Sequence, residues 1–191
     1  MKIAFLLFTL AFSSLSWSQP DPGLVKQLRE GGYVLYMRHT STDFSKNDSK
    51  MTSYEDCANQ RNLTDKGRDE ARAVAGHIKR LGIPIGSVLA SPYCRTMETA
   101  RLAFGKAQPT QEARGGPLSS DDPNRYDALR KLMGTRLGRE NLVISSHGNP
   151  FRAVAGPPYL AEGEIAVIRP EGNSNFTVIG RIRVEEWQFL D

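Results

Sequence analysis

The chain has 191 residues, of which 39% are hydrophobic and 24% charged, and this composition excludes a disordered, coiled-coil or collagen-like protein. Its net charge of +4 is compatible with an anionic substrate but does not indicate a nucleic-acid partner. Two cysteines are too few for zinc sites of the CxxC type or for iron–sulfur clusters, and the length is typical of a single domain.

The first predicted element is a secretory signal peptide over residues 1–18. Lys2 makes its start positive, an apolar run follows, and Ser16 and Ser18 suit the −3 and −1 positions of a signal-peptidase site. The apolar run is about half as long as a membrane-spanning helix requires, which disfavours the alternative of a retained anchor. A buried helix is a further alternative. The sequence therefore predicts a single mature domain over 19–191 that is periplasmic or secreted, without a stable membrane anchor.

This location bears on the two cysteines, Cys57 and Cys94. Two thiols in an oxidising compartment usually pair, so we predict a disulfide between them. Closing the long loop between them would stabilise the fold by about 4 kcal/mol in the chain-entropy model. The alternative is two separate buried thiols.

Helical and strand patterns alternate along the mature chain, which predicts a mostly parallel sheet with helices on both faces, a three-layer α/β sandwich. A polar loop over 40–62 is long for a compact domain, and such loops usually serve function. Helices are predicted over 22–30, 64–81, a segment starting in SPYCRTMETA, and 122–137. Strands are predicted over 33–37, 87–90, 142–145, 165–168 and 176–184, the last two paired across a turn at 172–173.

Two arginines and two histidines follow the ends of the first three predicted strands. Arg38 and His39 follow the first, Arg95 the second and His147 the third. In parallel sheets, ligands bind beyond the carboxyl ends of the strands. Guanidinium groups bind phosphate in a bidentate manner, and a neutral imidazole can attack phosphorus. This edge is therefore interpreted as a phosphate site.

Each of these residues also has an ordinary structural interpretation. The arginines could form surface ion pairs, and His147 could be a strand-end histidine with satisfied hydrogen bonds. Metal ligation by His39 and His147 is disfavoured, because no Asp or Glu set at a recognisable spacing completes a ligand shell. No metal or cofactor is expected.

Four motifs resemble those of the histidine phosphatase superfamily, also called the phosphoglycerate mutase-like family. They occur in the family's order within about residues 32–150. The motifs are MRHTSTD at 37–43, LTDKG at 63–67, SPYCRTMETA at 91–100 and HG at 147–148. The resemblance implies a phosphoglycerate mutase-like fold and a metal-independent, histidine-type acid phosphatase.

The same resemblance implies a role for each matching residue. His39 is expected to be the phosphorylated nucleophile, and Arg38, Arg95 and His147 are expected to form the phosphate pocket. The hydroxyl of Thr42 is expected to add a substrate contact.

The sequence departs from the family's pattern in two places. Thr40 stands where glycine is usual, so the loop must accommodate a Cβ there. No general acid is evident, since Asn149 occupies the position that is acidic in another branch of the family. Glu112 lies near the location of the acid in many members, and Asp43 is a rival candidate.

The sequence thus predicts an exported phosphomonoesterase that acts on a small-molecule or glycan phosphate ester through a phosphohistidine. Mutase activity is disfavoured because phosphoglycerate chemistry is cytoplasmic. The alternatives are a phosphohistidine-protein phosphatase, a non-catalytic phosphate-binding protein that retains the pocket, and a metal-dependent hydrolase.

Overall fold

The computed structural model describes residues 22–115, 122 and 124–191, and the predicted signal peptide lies outside them. None of the helices in these ranges has the length and apolar character that crossing a bilayer requires. The α-helices are α1 (Pro22–Glu30), α2 (Asp65–Arg80), α3 (Cys94–Phe104), α4 (Asp127–Gly134) and α5 (Gly148–Ala155). The strands are β1 (Val34–Arg38), β2 (Ile85–Ala90), β3 (Gln108–Pro109), β4 (Asn141–Ser146), β5 (Ile165–Gly172) and β6 (Asn175–Ile182).

The six strands form one sheet in the order β3-β2-β4-β1-β5-β6. Strands β1 to β4 pair in parallel, whereas β5 and β6 extend the sheet beyond β1 in antiparallel orientation. Helices α1, α2 and α3 cover one face, and α4 and α5 cover the other. The predicted three-layer α/β architecture with a parallel central sheet is therefore confirmed.

Strand β1 is buried on both faces because helices cover both sides of the sheet. Leu35 and Met37 belong to one hydrophobic core, and Val34 and Tyr36 belong to the other. Each fully buried apolar side chain of this size stabilises the fold by about 1.5–3 kcal/mol. The packing therefore holds β1 rigidly, and this fixes the position of His39, the residue that follows the strand.

Helix α2 begins directly after Thr64, as its motif predicts. The hydroxyl oxygen of Thr64 accepts the backbone N–H of Gly67 at 3.0 Å, which caps the first turn. A Cβ at Gly67 would collide with the backbone carbonyl of Ser41. This glycine therefore lets α2 pack directly against the loop that follows His39.

The β5–β6 hairpin turns one residue later than the sequence predicts. Asn173 and Ser174 form the turn, with φ values of 52° and 63°, as a two-residue type I′ turn requires. Strand β6 ends earlier than expected, and a 3₁₀ helix over Val184–Phe189 follows it.

The helix predicted over 122–137 is shorter in the structure, where α4 begins at Asp127 and ends at Gly134. The carboxylate of Asp122 accepts the backbone N–H of Asn124 at 2.9 Å, and this local turn competes with a helix start. Pro123, near the start of the predicted helix, lies outside the described residues.

Helix α5 is not predicted by the sequence. Its first residues, Gly148, Asn149 and Pro150, are typical of a loop. Proline is nevertheless compatible with the first turn of a helix, where backbone N–H groups have no partner within the helix. This helix follows His147 directly and lies at the edge of the sheet where the predicted site is located.

Candidate active site

The strand order places three chain segments side by side at one edge of the sheet. Arg38 ends β1 and His39 follows it, His147 follows β4, and Arg95 lies in the first turn of α3 after β2. These four residues line one cavity of about 330 Å³. The structure therefore brings together all four residues that the sequence assigns to the phosphate site. Within the described ranges, no three His, Cys, Asp or Glu side chains cluster closely enough to hold a metal ion.

His39 is 1% exposed, and its ring is oriented by the backbone. Its Nδ1 lies 3.0 Å from the carbonyl oxygen of Thr40, so Nδ1 donates the hydrogen bond and Nε2 keeps its lone pair. Burial lowers the pKa of His39 well below its ordinary value, and the positive charges of Arg95 and Arg38 lower it further. The imidazole is therefore neutral at physiological pH, as a nucleophile must be.

His147 lies beside His39, with 5.5 Å between the ring centroids. Its Nε2 lies 2.8 Å from the hydroxyl oxygen of Ser91, the first residue of the SPYCRTMETA motif. Burial is the main cause that lowers the pKa of His147 well below its usual range, and the positive charges of Arg95 and Arg38 lower it further. His147 is therefore a neutral hydrogen-bonding group rather than a cation.

Arg95 is 5% exposed and forms an ion pair with Asp48, whose Oδ1 lies 3.0 Å from Nη1. Its guanidinium carbon lies 4.5 Å from the ring centroid of Tyr93. Its Nε is buried and has no hydrogen-bond partner among the described residues. A buried donor without a partner favours a bound anion.

Arg38, at the end of β1, also combines a polar contact, an aromatic neighbour and a buried donor without a partner. Its Nη1 donates to the carbonyl oxygen of Leu160 at 2.7 Å, and its guanidinium carbon lies 5.1 Å from the ring centroid of Tyr159. Its Nε is also buried without a partner in the described part of the chain. The cavity therefore contains two guanidinium groups that each retain an unused donor.

Thr42 lies outside the cavity lining and contacts Glu162. Its hydroxyl donates to Glu162 Oε1 at 2.7 Å, and its backbone N–H lies 3.3 Å from Oε2. The same carboxylate lies 3.5 Å from Arg38 Nη2 and 3.8 Å from His39 Nδ1. No sequence motif points to Glu162, which precedes β5 and is 120 residues away from Thr42.

The Cβ at position 40 is accommodated by a contact with the second motif. Thr40 is fully buried, and its hydroxyl oxygen lies 3.2 Å from that of Thr99 in α3. The backbone N–H of Thr40 donates to the hydroxyl oxygen of Thr99 at 3.3 Å. Threonine therefore replaces the usual glycine by linking the first and second motifs.

Neither acidic residue favoured by the sequence lines the cavity. Glu112 is exposed in a turn and accepts the hydroxyl of Thr110, which lowers its pKa. The carboxylate of Asp43 accepts the hydroxyl of Ser45 at 2.6 Å, so its contact lies within the polar loop. The carboxylate in the described cavity lining is Asp48, in the polar loop.

The predicted disulfide between Cys57 and Cys94 is present, with 5.7 Å between the Cα atoms. The backbone N–H of Cys94 donates to the side-chain oxygen of Gln60 at 2.9 Å, and Gln60 donates to the carbonyl of Tyr54 at 2.9 Å. These contacts attach the polar loop to the residue before Arg95.

Tyr159 forms one wall of the cavity by packing against Gly148. A Cβ at position 148 would collide with the ring of Tyr159. The phenolic hydroxyl donates to the side-chain oxygen of Asn149 at 2.7 Å. The ring is therefore held across the start of α5.

One protein-family model matches part of the chain. Residues 34–116 match the model of the histidine phosphatase superfamily, branch 1. The sequence matches no curated protein.

Several solved structures share the fold. The protein histidine phosphatase SixA, complexed with tungstate, has a TM-score of 0.56 at 22% identity, covering 80% of this chain and 97% of SixA. A variant phosphoserine phosphatase from Entamoeba histolytica, in complex with phosphoserine, has a TM-score of 0.56 at 13% identity, covering 81% and 98%. The mycobacterial glucosyl-3-phosphoglycerate phosphatase has a TM-score of 0.53 at 15% identity, covering 72% and 89%.

Proposed function

We propose that this chain, whose residues 34–116 match the model of the histidine phosphatase superfamily, is a metal-independent phosphomonoesterase that hydrolyses a phosphate ester through a phosphohistidine on His39. The observation that carries the proposal is the set of side chains that line one cavity. It combines two neutral imidazoles with the guanidinium groups of Arg38 and Arg95, whose Nε atoms are buried and have no partner within the described residues. An anion with several oxygens would satisfy these donors.

The reaction follows from the arrangement of these groups. Nε2 of His39 attacks phosphorus, and the ester oxygen leaves. Arg38, Arg95 and His147 stabilise the negative charge on the equatorial oxygens in the transition state. Water then attacks the phosphohistidine, releases phosphate and restores the neutral imidazole.

The proposal includes the mature domain over 19–191 and its export after removal of residues 1–18. The disulfide between Cys57 and Cys94 supports an oxidising compartment such as the periplasm or the extracellular space. The substrates we propose are small-molecule or glycan phosphate esters. The similar structures that bind phosphoserine or act on a glucosyl phosphoglycerate support this substrate class.

The test is direct detection of the phosphoenzyme. We expect the purified mature protein to hydrolyse p-nitrophenyl phosphate in the presence of EDTA. Rapid mixing followed by an alkaline quench should yield a phosphoprotein, because phosphorus bonded to histidine nitrogen survives base. His39→Asn should form no phosphoenzyme and show no turnover. Full turnover by His39→Asn would refute the covalent mechanism, whereas vanadate binding by a wild-type protein without turnover would favour a non-catalytic phosphate-binding protein.

A further inference from the structure

The hydrolysis of an alkyl phosphate needs a proton for the departing oxygen, because an alkoxide is a poor leaving group. The described lining of the cavity contains four side chains, besides the nucleophile and the arginines, that could take part in proton transfer. These are Asp48, Tyr93, His147 and Tyr159.

Three of these four groups are poor acids. Burial is the main cause that raises the pKa of the Tyr93 hydroxyl, so it gives up its proton less readily than an ordinary tyrosine. The hydroxyl of Tyr159 donates a hydrogen bond to the side-chain oxygen of Asn149, so its proton is already engaged. His147 is neutral, and loss of its remaining N–H proton would leave an imidazolate.

Asp48 is held at the cavity by two contacts on one oxygen. Its Oδ1 lies 3.0 Å from Arg95 Nη1 and accepts the backbone N–H of Arg61 at 2.9 Å. The side chain is 29% exposed, so its carboxylate is accessible to solvent as well as to the cavity. Asp48 therefore contacts the same guanidinium that the proposed reaction assigns to the phosphoryl group.

The loop that carries Asp48 is also anchored next to Arg95 in the sequence. The disulfide between Cys57 and Cys94 and the hydrogen bond from Cys94 to Gln60 attach it to the start of α3. The carboxylate is therefore positioned relative to Arg95 by covalent and hydrogen-bonded links, as a group that transfers protons requires.

We propose that Asp48 is the general acid and base of this site; the inference rests on the phosphatase function proposed above. A phosphate monoester below a pH of about 6 binds largely as a monoanion. Its proton moves to the carboxylate of Asp48, and the resulting dianion pairs with Arg95. As the bond from His39 Nε2 to phosphorus forms and the bond to the ester oxygen breaks, Asp48 gives its proton to that oxygen, which leaves as an alcohol.

The second half of the reaction uses the same carboxylate as a base. Asp48 takes a proton from the attacking water while the bond from the water oxygen to phosphorus forms. The bond from phosphorus to His39 Nε2 breaks, and its electron pair returns to the imidazole. The proton on Asp48 then leaves with inorganic phosphate or passes to solvent, which completes the cycle.

The test compares two leaving groups in Asp48→Asn, with Asp43→Asn as a matched control in the same loop. p-Nitrophenolate leaves without protonation, whereas the alkoxide of β-glycerophosphate does not. The value of kcat/KM reports the steps up to formation of the phosphohistidine. For Asp48→Asn it should fall by at least about 100-fold with β-glycerophosphate and by less than about tenfold with p-nitrophenyl phosphate. Asp43→Asn should match the wild type with both.

Further readouts separate the proposal from other roles of Asp48. Wild-type kcat/KM for β-glycerophosphate should decrease above a pH of about 6, where the monoanion is lost, and Asp48→Asn should lack this decrease. Inhibition by inorganic phosphate should be at least as strong in Asp48→Asn as in the wild type. Equal losses with both substrates would overturn the proposal and assign Asp48 to the positioning of Arg95. A higher kcat/KM of Asp48→Asn with both substrates would also overturn the proposal, because Asp48 would then be a carboxylate that competes with phosphate for Arg95.

The same assays distinguish a failure of this inference from a failure of the proposed function. If the wild type hydrolyses p-nitrophenyl phosphate and forms a phosphohistidine while Asp48→Asn retains the wild-type ratio between the two substrates, only the role of Asp48 is wrong. If the wild type forms no phosphohistidine, the proposed function fails and the role of Asp48 fails with it.

Discussion

Glu162 links three residues of the first motif through a single carboxylate. It contacts the hydroxyl of Thr42 and Arg38 Nη2, and it lies 3.8 Å from His39 Nδ1. It does not line the cavity, so it acts through the residues that do. We infer that Glu162 is a positioning residue that orients the guanidinium of Arg38.

Truncation of this carboxylate should impair the rate more than the fold. We expect Glu162→Ala to lower kcat by about tenfold or more, because small displacements of catalytic groups are costly. Glu162→Gln should recover part of the loss, since its amide oxygen still accepts the hydroxyl of Thr42. Steady-state kinetics and thermal melting of both variants check this. Equal kcat values for the alanine variant and the wild type would contradict the role.

Arg95 offers a second test at the same scale. A charge-assisted hydrogen bond contributes about 1.5–3 kcal/mol, so Arg95→Ala should weaken vanadate or phosphate binding by about 10- to 100-fold. Arg101→Ala is the matched control, because Arg101 is exposed on the same helix. The inhibition constants of vanadate and phosphate, measured with p-nitrophenyl phosphate as substrate, test this prediction. Unchanged inhibition by phosphate would place Arg95 outside the phosphate site.

The motifs predicted which residues meet in the cavity, but they did not predict the residues that hold them. Arg38, His39 and His147 directly follow apolar strand patterns, so their meeting point follows from the parallel sheet. Asp48 and Glu162 lie in loops whose paths depend on tertiary contacts, and no spacing in the sequence indicates them. The sequence therefore offered only Glu112 and Asp43 as candidates for the acid, and neither of them lines the cavity.

At the scale of elements, the polar loop after β1 depends on a few attachments. It is closed near its ends by an isolated bridge between Thr42 and Leu63 and is tied to α3 by the disulfide. Its many Ser, Thr, Asp and Asn side chains bury little apolar area. The loop conformation, and with it the position of Asp48, therefore relies on covalent and hydrogen-bonded links.

Reduction of the bond between Cys57 and Cys94 should destabilise the protein by about 2–4 kcal/mol. Activity should decline at lower reductant concentration than the fold, because opening of the loop precedes global unfolding. Activity and thermal melting across a reductant series measure both. A Cys57→Ser and Cys94→Ser double variant should not respond to reductant. Titration of two free thiols in the denatured, unreduced protein would contradict the prediction.

The helices illustrate why element boundaries are harder to predict than element types. Helix α2 was predicted closely because Thr64 caps it and its apolar positions recur at helical spacing. Helix α4 is shorter than its pattern because the Asp122 side chain stabilises a local turn. Helix α5 went unrecognised because Gly148 and Pro150 resemble loop residues, although the cavity is built around its start.

For the molecule as a whole, the two buried histidines make stability depend on pH. The pKa values of His39 and His147 are lowered in the folded state, mainly by burial. The unfolded chain therefore binds more protons at acidic pH, and the free energy of unfolding rises with pH. The stabilisation is present above a pH of about 6.5 and is lost as the pH falls towards the folded-state pKa values.

We expect each neutral histidine to reduce the free energy of unfolding by about 1.4 kcal/mol for each pH unit below 6.5. Urea denaturation between pH 7.5 and pH 5 measures this slope. A His39→Asn and His147→Asn double variant should show a flatter dependence, while His77→Asn, at a half-buried helical position, should retain most of it. A slope that is unchanged in the double variant would assign the pH dependence to other groups.

The contact between Gly148 and the ring of Tyr159 makes two distant positions interdependent in evolution. Any side chain at position 148 would displace the ring, and with it a wall of the cavity. Among relatives, we therefore expect glycine at the position of Gly148 wherever an aromatic residue stands at that of Tyr159, and larger residues there only beside a smaller partner. Divergence towards new phosphate esters at this wall would then proceed through paired substitutions, because either change alone leaves a collision or a void.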